Sequence, residues 1–339
     1  MAQLASQPLR LRSFLAAVGL TVAVCFTATF ALPQDPYIRY QAMAGTMFER
    51  VRWMYDRIHY DDTPIDIVFI GSSRTARGVI SPDLETALHA QGHDKRIVNF
   101  SLPASGYDVR LTLAREVLEA RDVELLVISL VEQFPRDGHQ AFADLATVED
   151  LLRSPWLVNR NLPENLLRLP VRQMQLAVMS LLPEAFGYRR AFDPDAYEGA
   201  TVDPRIFNPG RQSRPQTSEA ITALEKESRF RRRDLTPPIL PTSLNWIEFG
   251  VTQSYIRRLV ELAQAHDTQI AFLYLPFYKG FAQPLETDWL EQYGPVLSAD
   301  FLRMSPENYN DAAHVSEQGA QLMTDWLSRE LPPLLKDAE

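Results

Sequence analysis

Four short apolar runs, set apart by stretches of helical spacing, constrain this chain more than any other feature of it. Asp66-Ile67-Val68-Phe69-Ile70 stops at Gly71; residues 96–100, 124–130 (ELLVISL) and 269–276 (QIAFLYLP) follow the same plan. Their length and β-branched content predict buried strands. Ser81-Pro82-Asp83-Leu84-Glu85 reads as a helix start, with serine at the cap and proline in the first turn. Residues 109–120 and 249–266 carry helical spacing, the latter with Val251, Tyr255, Leu259 and Leu262 on one face. Residues 285–297 suggest a further helix, and 316–331 a last one with a stripe of Ala320, Met323, Trp326, Leu327 and Leu331. Strands alternating with helices imply an α/β fold: a parallel sheet with helices on both faces.

The rhythm is interrupted between residues 136 and 245, where no strand is evident. Prolines punctuate short helical pieces such as 171–182, and a polar, proline-rich stretch runs from 193 to 241. Structureless loops of that length are uncommon in compact domains, so the region reads as an insertion that is either a functional lid or partly disordered. Arg229-Phe230-Arg231-Arg232-Arg233 lies inside it, and a solvated face is the expectation there; contact with an anionic polymer or lipid headgroups is the sharper alternative. Residues 34–63 form an amphipathic bridge, with Met47, Val51, Met54, Tyr55 and Ile58 at helical spacing.

Ahead of the bridge, residues 13–32 run for twenty positions without a charge. As a helix that is roughly 30 Å, the hydrocarbon thickness of a bilayer. Arg10 and Arg12 precede it and no basic residue follows until Arg39. The asymmetry predicts a transmembrane signal anchor with residues 1–33 as tip and span, and export of everything beyond about Pro33. A cleaved signal peptide is the competing reading, though its apolar region is usually shorter. The formal net charge of −9 disfavours a general nucleic-acid binder. A lone cysteine, Cys25, excludes an internal disulfide framework and a cysteine-rich metal site. Nothing calls for a metal or another cofactor.

Chemistry concentrates at two places. Gly71-Ser72-Ser73-Arg74 follows the first strand, where open α/β sheets bind ligands, and Asp311 stands three residues before His314 ahead of the last helix. A serine hydroxyl is a weak nucleophile until a base takes its proton; His314 is the candidate base and Asp311 the group that orients it. Each residue has a plainer alternative. Ser72 and Ser73 could cap the following helix, Asp311 and His314 could be a surface loop pair, and Ser316 could cap the last helix. Gly106 could merely supply a positive φ. Arg74 is either a structural ion-pair partner or a clamp for an anionic substrate group. His139, after Arg136-Asp137-Gly138, reads as part of a surface polar loop, with a place in the cleft as the alternative.

Taken together these residues resemble the SGNH (GDSL-type) hydrolase superfamily. The resemblance implies a flavodoxin-like three-layer α/β/α sandwich built from residues 64–135 and 246–335, with 136–245 as the insertion. It makes Ser73 the nucleophile, with Asp311 and His314 completing a triad. It also implies an oxyanion hole formed by the Ser73 and Gly106 N–H groups. Ser72 stands where the family has aspartate, as in its membrane-anchored branch, which is similar to D-alanine transfer and alginate acetylation proteins. The family's Gly-x-Asn block is replaced by Leu130-Val131-Glu132-Gln133-Phe134, where Gln133 could donate an amide hydrogen and ionised Glu132 could not. The implied activity is an exported esterase or O-acyltransferase. Its substrate would be a cell-envelope glycan or acyl ester, and a membrane acyltransferase its partner. An inactive assembly component of a polysaccharide system is the alternative.

Overall fold

A computed structural model describes residues 11–157, 159–203, 217–235 and 238–335. The tip before Leu11 and the prolines at 204, 209, 215 and 237 lie outside the described residues. Five parallel strands form one sheet: β1 Ile67–Ile70, β2 Ile97–Asn99, β3 Leu125–Leu130, β4 Gln269–Tyr274 and β5 Val296–Ser298. Their order is β2-β1-β3-β4-β5, the flavodoxin-like arrangement. The register runs Val68 beside Val98 and Leu126, then Leu126 beside Ile270.

Alternate residues feed two separate cores, which is why the strands read as continuous apolar runs rather than alternating ones. Val68, Ile70, Leu126, Ile128 and Phe272 face one core, with helices Tyr107–Leu118 and Gly250–Ala265 packed over them. Ile67, Phe69, Leu125, Val127 and Leu273 face the other, covered by Ser81–His89 and Glu317–Glu330. The architecture is a three-layer α/β/α sandwich. Each fully buried side chain of this kind contributes about 1.5–3 kcal/mol.

Three expectations need correction. Residues 285–297 do not form a helix: only Thr287–Leu290 is helical, and the segment ends in β5. A Cβ at Gly294 would meet the Ile270 carbonyl oxygen at 2.5 Å, so the chain runs close along β4 there. Ser81 does not cap its helix; Ile80 holds that position without a side-chain bond, and Pro82 still lies in the first turn. The polar stretch 193–241 contains a long helix, Ser218–Asp234, capped by Thr217.

The bridge resolves into two helices, Pro36–Gln41 and Val51–His59, whose Tyr37, Ile38, Val51, Met54 and Ile58 are buried while Met47 is exposed. Ahead of them Leu11–Ala28 is helical, and Ser13–Ala31 is long and apolar enough to cross a membrane or serve as a signal sequence, with mean hydropathy 2.1 and only its end, at Phe30, partly covered by the core. Between β3 and β4 the helix Leu162–Leu181 carries Pro170 inside it.

Candidate active site

Gly71 ends β1 in a place where a side chain has no room: a Cβ would lie 2.4 Å from Ser129 Cβ and 2.5 Å from Thr75 Oγ1. The chain then turns into the short helix Ser73–Gly78, capped by Ser72, whose Oγ accepts from the Arg74 N–H. Capping is therefore the role of Ser72, and Ser73 is left at the sheet's C-terminal rim. There its Oγ lies 2.8 Å from His314 Nε2. His314 Nδ1 lies 2.8 Å from Asp311 Oδ2 and 3.0 Å from Oδ1.

The loop that carries Asp311 and His314 is built to hold this geometry. Tyr309 and Val315 form an isolated antiparallel bridge, and the Asn310 N–H donates to the His314 carbonyl. Asp311 Oδ1 accepts from the backbone N–H groups of Ala313 and His314. Ser316 caps the last helix, as its plainer reading expected, and its Oγ also donates to the Glu307 carbonyl.

Burial would raise the Asp311 carboxyl, but the hydrogen bond and charge of His314 and the two N–H groups outweigh it and hold the carboxyl well below the ordinary range. An ionised carboxylate can only accept, so Nδ1 carries the imidazole proton and Nε2 presents its lone pair to the Ser73 hydroxyl. Arg77, on the serine's own helix, stands 3.8 Å from Asp311, a neighbour the sequence did not single out.

Arg74 does not face the cleft. It is 6% exposed, forms a bidentate pair with Glu132 and donates to the Leu275 carbonyl. Burial alone would disfavour both charges, yet the pairing holds Glu132 below the ordinary carboxylate range and Arg74 above its ordinary value. The ion-pair reading of Arg74 is the structural one: both terminal nitrogens of its guanidinium are engaged by Glu132 and the Leu275 carbonyl.

The turn after β2 forms one wall. Asn99 Nδ2 donates to the Thr75 and Val79 carbonyls, tying this turn to the serine's helix. Residues 101–104 line a cleft of about 510 Å³ together with Met47, Arg50, Ser73, Arg77 and His314. Gly106 is not among these lining residues. Its φ of 172° is extended, so it does not supply a positive φ; Ala104, at φ 68°, takes the left-handed conformation. Gly106 is needed for close packing, since a Cβ there would lie 2.5 Å from the His139 backbone nitrogen.

His139 is buried rather than on a surface loop, and its Nε2–H donates to the Pro103 carbonyl at 2.7 Å, bracing the same turn. Burial pushes the imidazole down to about 4, which keeps it neutral, and pushes neighbouring Asp108 up to about 6. Gln133 is buried with its amide nitrogen unbonded among the described residues, and it too is absent from the cleft walls.

A second opening, of about 800 Å³, adjoins His314 and Asp311 on the side of the helix Ser218–Asp234. That helix docks through Leu224 and through Ser228 Oγ donating to the Tyr278 carbonyl, and Glu227 accepts from the Ala312 N–H. Of the basic cluster, Arg229, Arg232 and Arg233 are exposed as expected, whereas Arg231 is half-buried and lines this opening with Phe230 and Lys226.

No family model matches the chain, and no curated protein matches it. Among solved structures, it is similar to a protein of Streptococcus pneumonia provisionally described as a platelet activating factor (14% identity, TM-score 0.30, covering 86% of this chain and 97% of that one). It is also similar to the lipase/acylhydrolase of Enterococcus faecalis (14% identity, TM-score 0.23, covering 81% and 99%). Neither likeness bears on the reading of the site.

Close to the turn after β3, Glu286 accepts from the Phe134 N–H at 3.2 Å, and burial pushes its carboxyl up to about 7. A folded value above the unfolded one, about 4.3, means the associated stability is complete below pH ~4.3 and lost as pH rises through 7. Glu286→Gln keeps the acceptor and removes the charge. Its melting temperature should exceed the wild type's at pH 8, and the advantage should vanish by about pH 4.5; a difference independent of pH would exclude the buried charge as its cause.

Proposed function

We propose that this chain is a membrane-tethered serine esterase or O-acyltransferase of the SGNH type, acting on a cell-envelope polysaccharide, with its catalytic part on the periplasmic or outer face. One observation carries the reading: the continuous hydrogen-bonded relay from Ser73 Oγ through His314 to Asp311, with 2.8 Å at each junction. A serine that merely capped a helix would have no reason to meet an imidazole whose other nitrogen is held by a carboxylate.

In this reading Ser73 Oγ attacks an acyl carbonyl carbon while its proton passes to His314 Nε2, and Asp311 stabilises the imidazolium. The tetrahedral oxyanion takes the Ser73 N–H at the helix start and an N–H from the turn at 101–106. Collapse breaks the carbon–oxygen bond to the leaving alcohol, which recovers the proton, and the acyl group stays on Ser73 as an ester. Water attacking that ester completes hydrolysis; a sugar hydroxyl completes transfer. The same nitrogen serves either acceptor.

The two openings beside His314 suit this division. In this reading the acyl group occupies the cleft that holds Ser73, beside Met47, Ala76, Leu102 and Pro103, and the glycan enters from the opening beside Lys226, Phe230 and Arg231. The inactive alternative draws on the buried Gln133 amide and on Glu132, whose carboxylate is committed to Arg74.

A serine-directed fluorophosphonate applied to the full chain tests the assignment. Wild type and Ser72→Ala should label equally, and Ser73→Ala should not label. Label retained by Ser73→Ala would remove the nucleophile.

A further inference from the structure

The helix Leu162–Leu181 carries apolar residues on its outer face as well as its inner one. Its inner face buries Leu162, Leu169, Leu176 and Ala177 together with Arg172 and Gln173. Its outer face presents Leu167, Val171, Met174, Val178 and Leu181, with Leu167 78% exposed and Leu181 63% exposed. Those five positions are spaced by four, three, four and three residues, so they form one stripe along the helix. Leu182 and Phe186 extend it beyond the C-terminal end, and Trp156 and Leu157, just before the helix, are exposed as well. Contiguous exposed apolar surface of this kind marks an interaction site.

The fold says what lies beside it. This helix packs against the turn Thr29–Ala31, which continues the apolar N-terminal helix. Ser180 Oγ, one residue from Leu181, accepts from the Asp35 N–H at 3.0 Å. The stripe therefore begins where the apolar segment Ser13–Ala31 leaves the folded part of the chain. If that segment crosses a bilayer, the bilayer surface is held next to the stripe by covalent linkage, at high effective concentration.

We infer that the outer face of Leu162–Leu181 lies in the headgroup–acyl boundary of that bilayer, as a second, interfacial attachment that fixes how the α/β domain sits on the membrane. The chemistry is that of a surface helix: an apolar stripe in the boundary, with Glu164, Arg168 and Gln175 flanking it. Exposed aromatic side chains, Trp156 and Phe186, suit the same depth. The inference rests on the reading of the N-terminal helix as a retained membrane span. It is independent of the catalytic assignment.

The lone cysteine makes both attachments measurable in the full chain reconstituted in phospholipid nanodiscs. An environment-sensitive fluorophore on native Cys25 reports the span. The same fluorophore on Met174→Cys, in a Cys25→Ser background, reports the stripe, and on Met304→Cys it reports an exposed methionine elsewhere. The expected result is strong quenching of the Cys25 label by mid-chain spin-labelled lipid. The Met174 label should be quenched by lipid spin-labelled near the headgroup several-fold more than the Met304 label, and shielded from aqueous iodide. A lipid-quenched Cys25 label with a Met174 label as open to iodide as Met304 would overturn the inference, leaving a protein partner to cover the stripe. A Cys25 label untouched by lipid would instead overturn the span, and the inference with it.

Discussion

Replacing His314 with alanine is expected to lower kcat for hydrolysis of an acetyl ester by about a million-fold, the scale of removing the base from an established serine triad. Among the described residues Nε2 is the group placed to take the Ser73 proton, at 2.8 Å, and without it the hydroxyl stays a poor nucleophile. Asp311→Asn should cost less, about 10⁴-fold, because the imidazole remains but the wrong tautomer is favoured. An asparagine amide can donate to Nδ1, which moves the ring proton to Nε2 and turns the acceptor facing Ser73 into a donor. Both losses should fall on kcat rather than KM, since the proton transfer occurs only in the transition state. Steady-state rates of the full chain on a chromogenic acetyl ester read both variants. A His314→Ala enzyme as active as wild type would remove the base.

The parts of the fold that show in the sequence are those whose burial is uniform. β1, β3 and β4 lie inside the sheet and are apolar on both faces, so their runs stand out without knowledge of their partners. β5 does not stand out because it is three residues long, at an edge, and only Leu297 of it is buried. The helix Ser218–Asp234 is hidden for a related reason: only Leu224 and Ser228 of it are buried, and much of its docking is through polar contacts.

At the site, local spacing is informative only with its setting. Asp56 and His59 have the same spacing as Asp311 and His314, yet they lie within one helix, and His59 pairs with Glu116 at 2.8 Å instead. What separates the two is the bridged loop at the sheet rim, which is a tertiary fact. The roles of Arg74 and His139 were illegible because their partners, Glu132 and the Pro103 carbonyl, are distant in sequence.

Arg74 carries the second large effect, on stability rather than on chemistry. Arg74→Met leaves Glu132 buried, 4% exposed, without the guanidinium that satisfies both of its oxygens. Removing one member of a buried pair costs about 3–5 kcal/mol, because the survivor's desolvation is no longer offset. At about 2–4 °C per kcal/mol for a domain of this size, the melting temperature of the full chain should fall by roughly 10 °C. Arg231 influences Glu132 electrostatically from the covering helix and should soften the loss without cancelling it, since no ion pair joins the two. Arg74→Met combined with Glu132→Leu removes both charges and should recover most of the lost stability, because a well-packed apolar pair is often as stable as the ion pair it replaces. A double variant as unstable as the single one would mean that Arg74 stabilises chiefly through its bond to the Leu275 carbonyl, and not by neutralising Glu132. The serine beside Arg74 makes the pair relevant to turnover as well. The bidentate contact ties the first turn of Ser73–Gly78 to the segment leaving β3, so the double variant should be stable yet slower if that tie also sets where Ser73 Oγ meets His314.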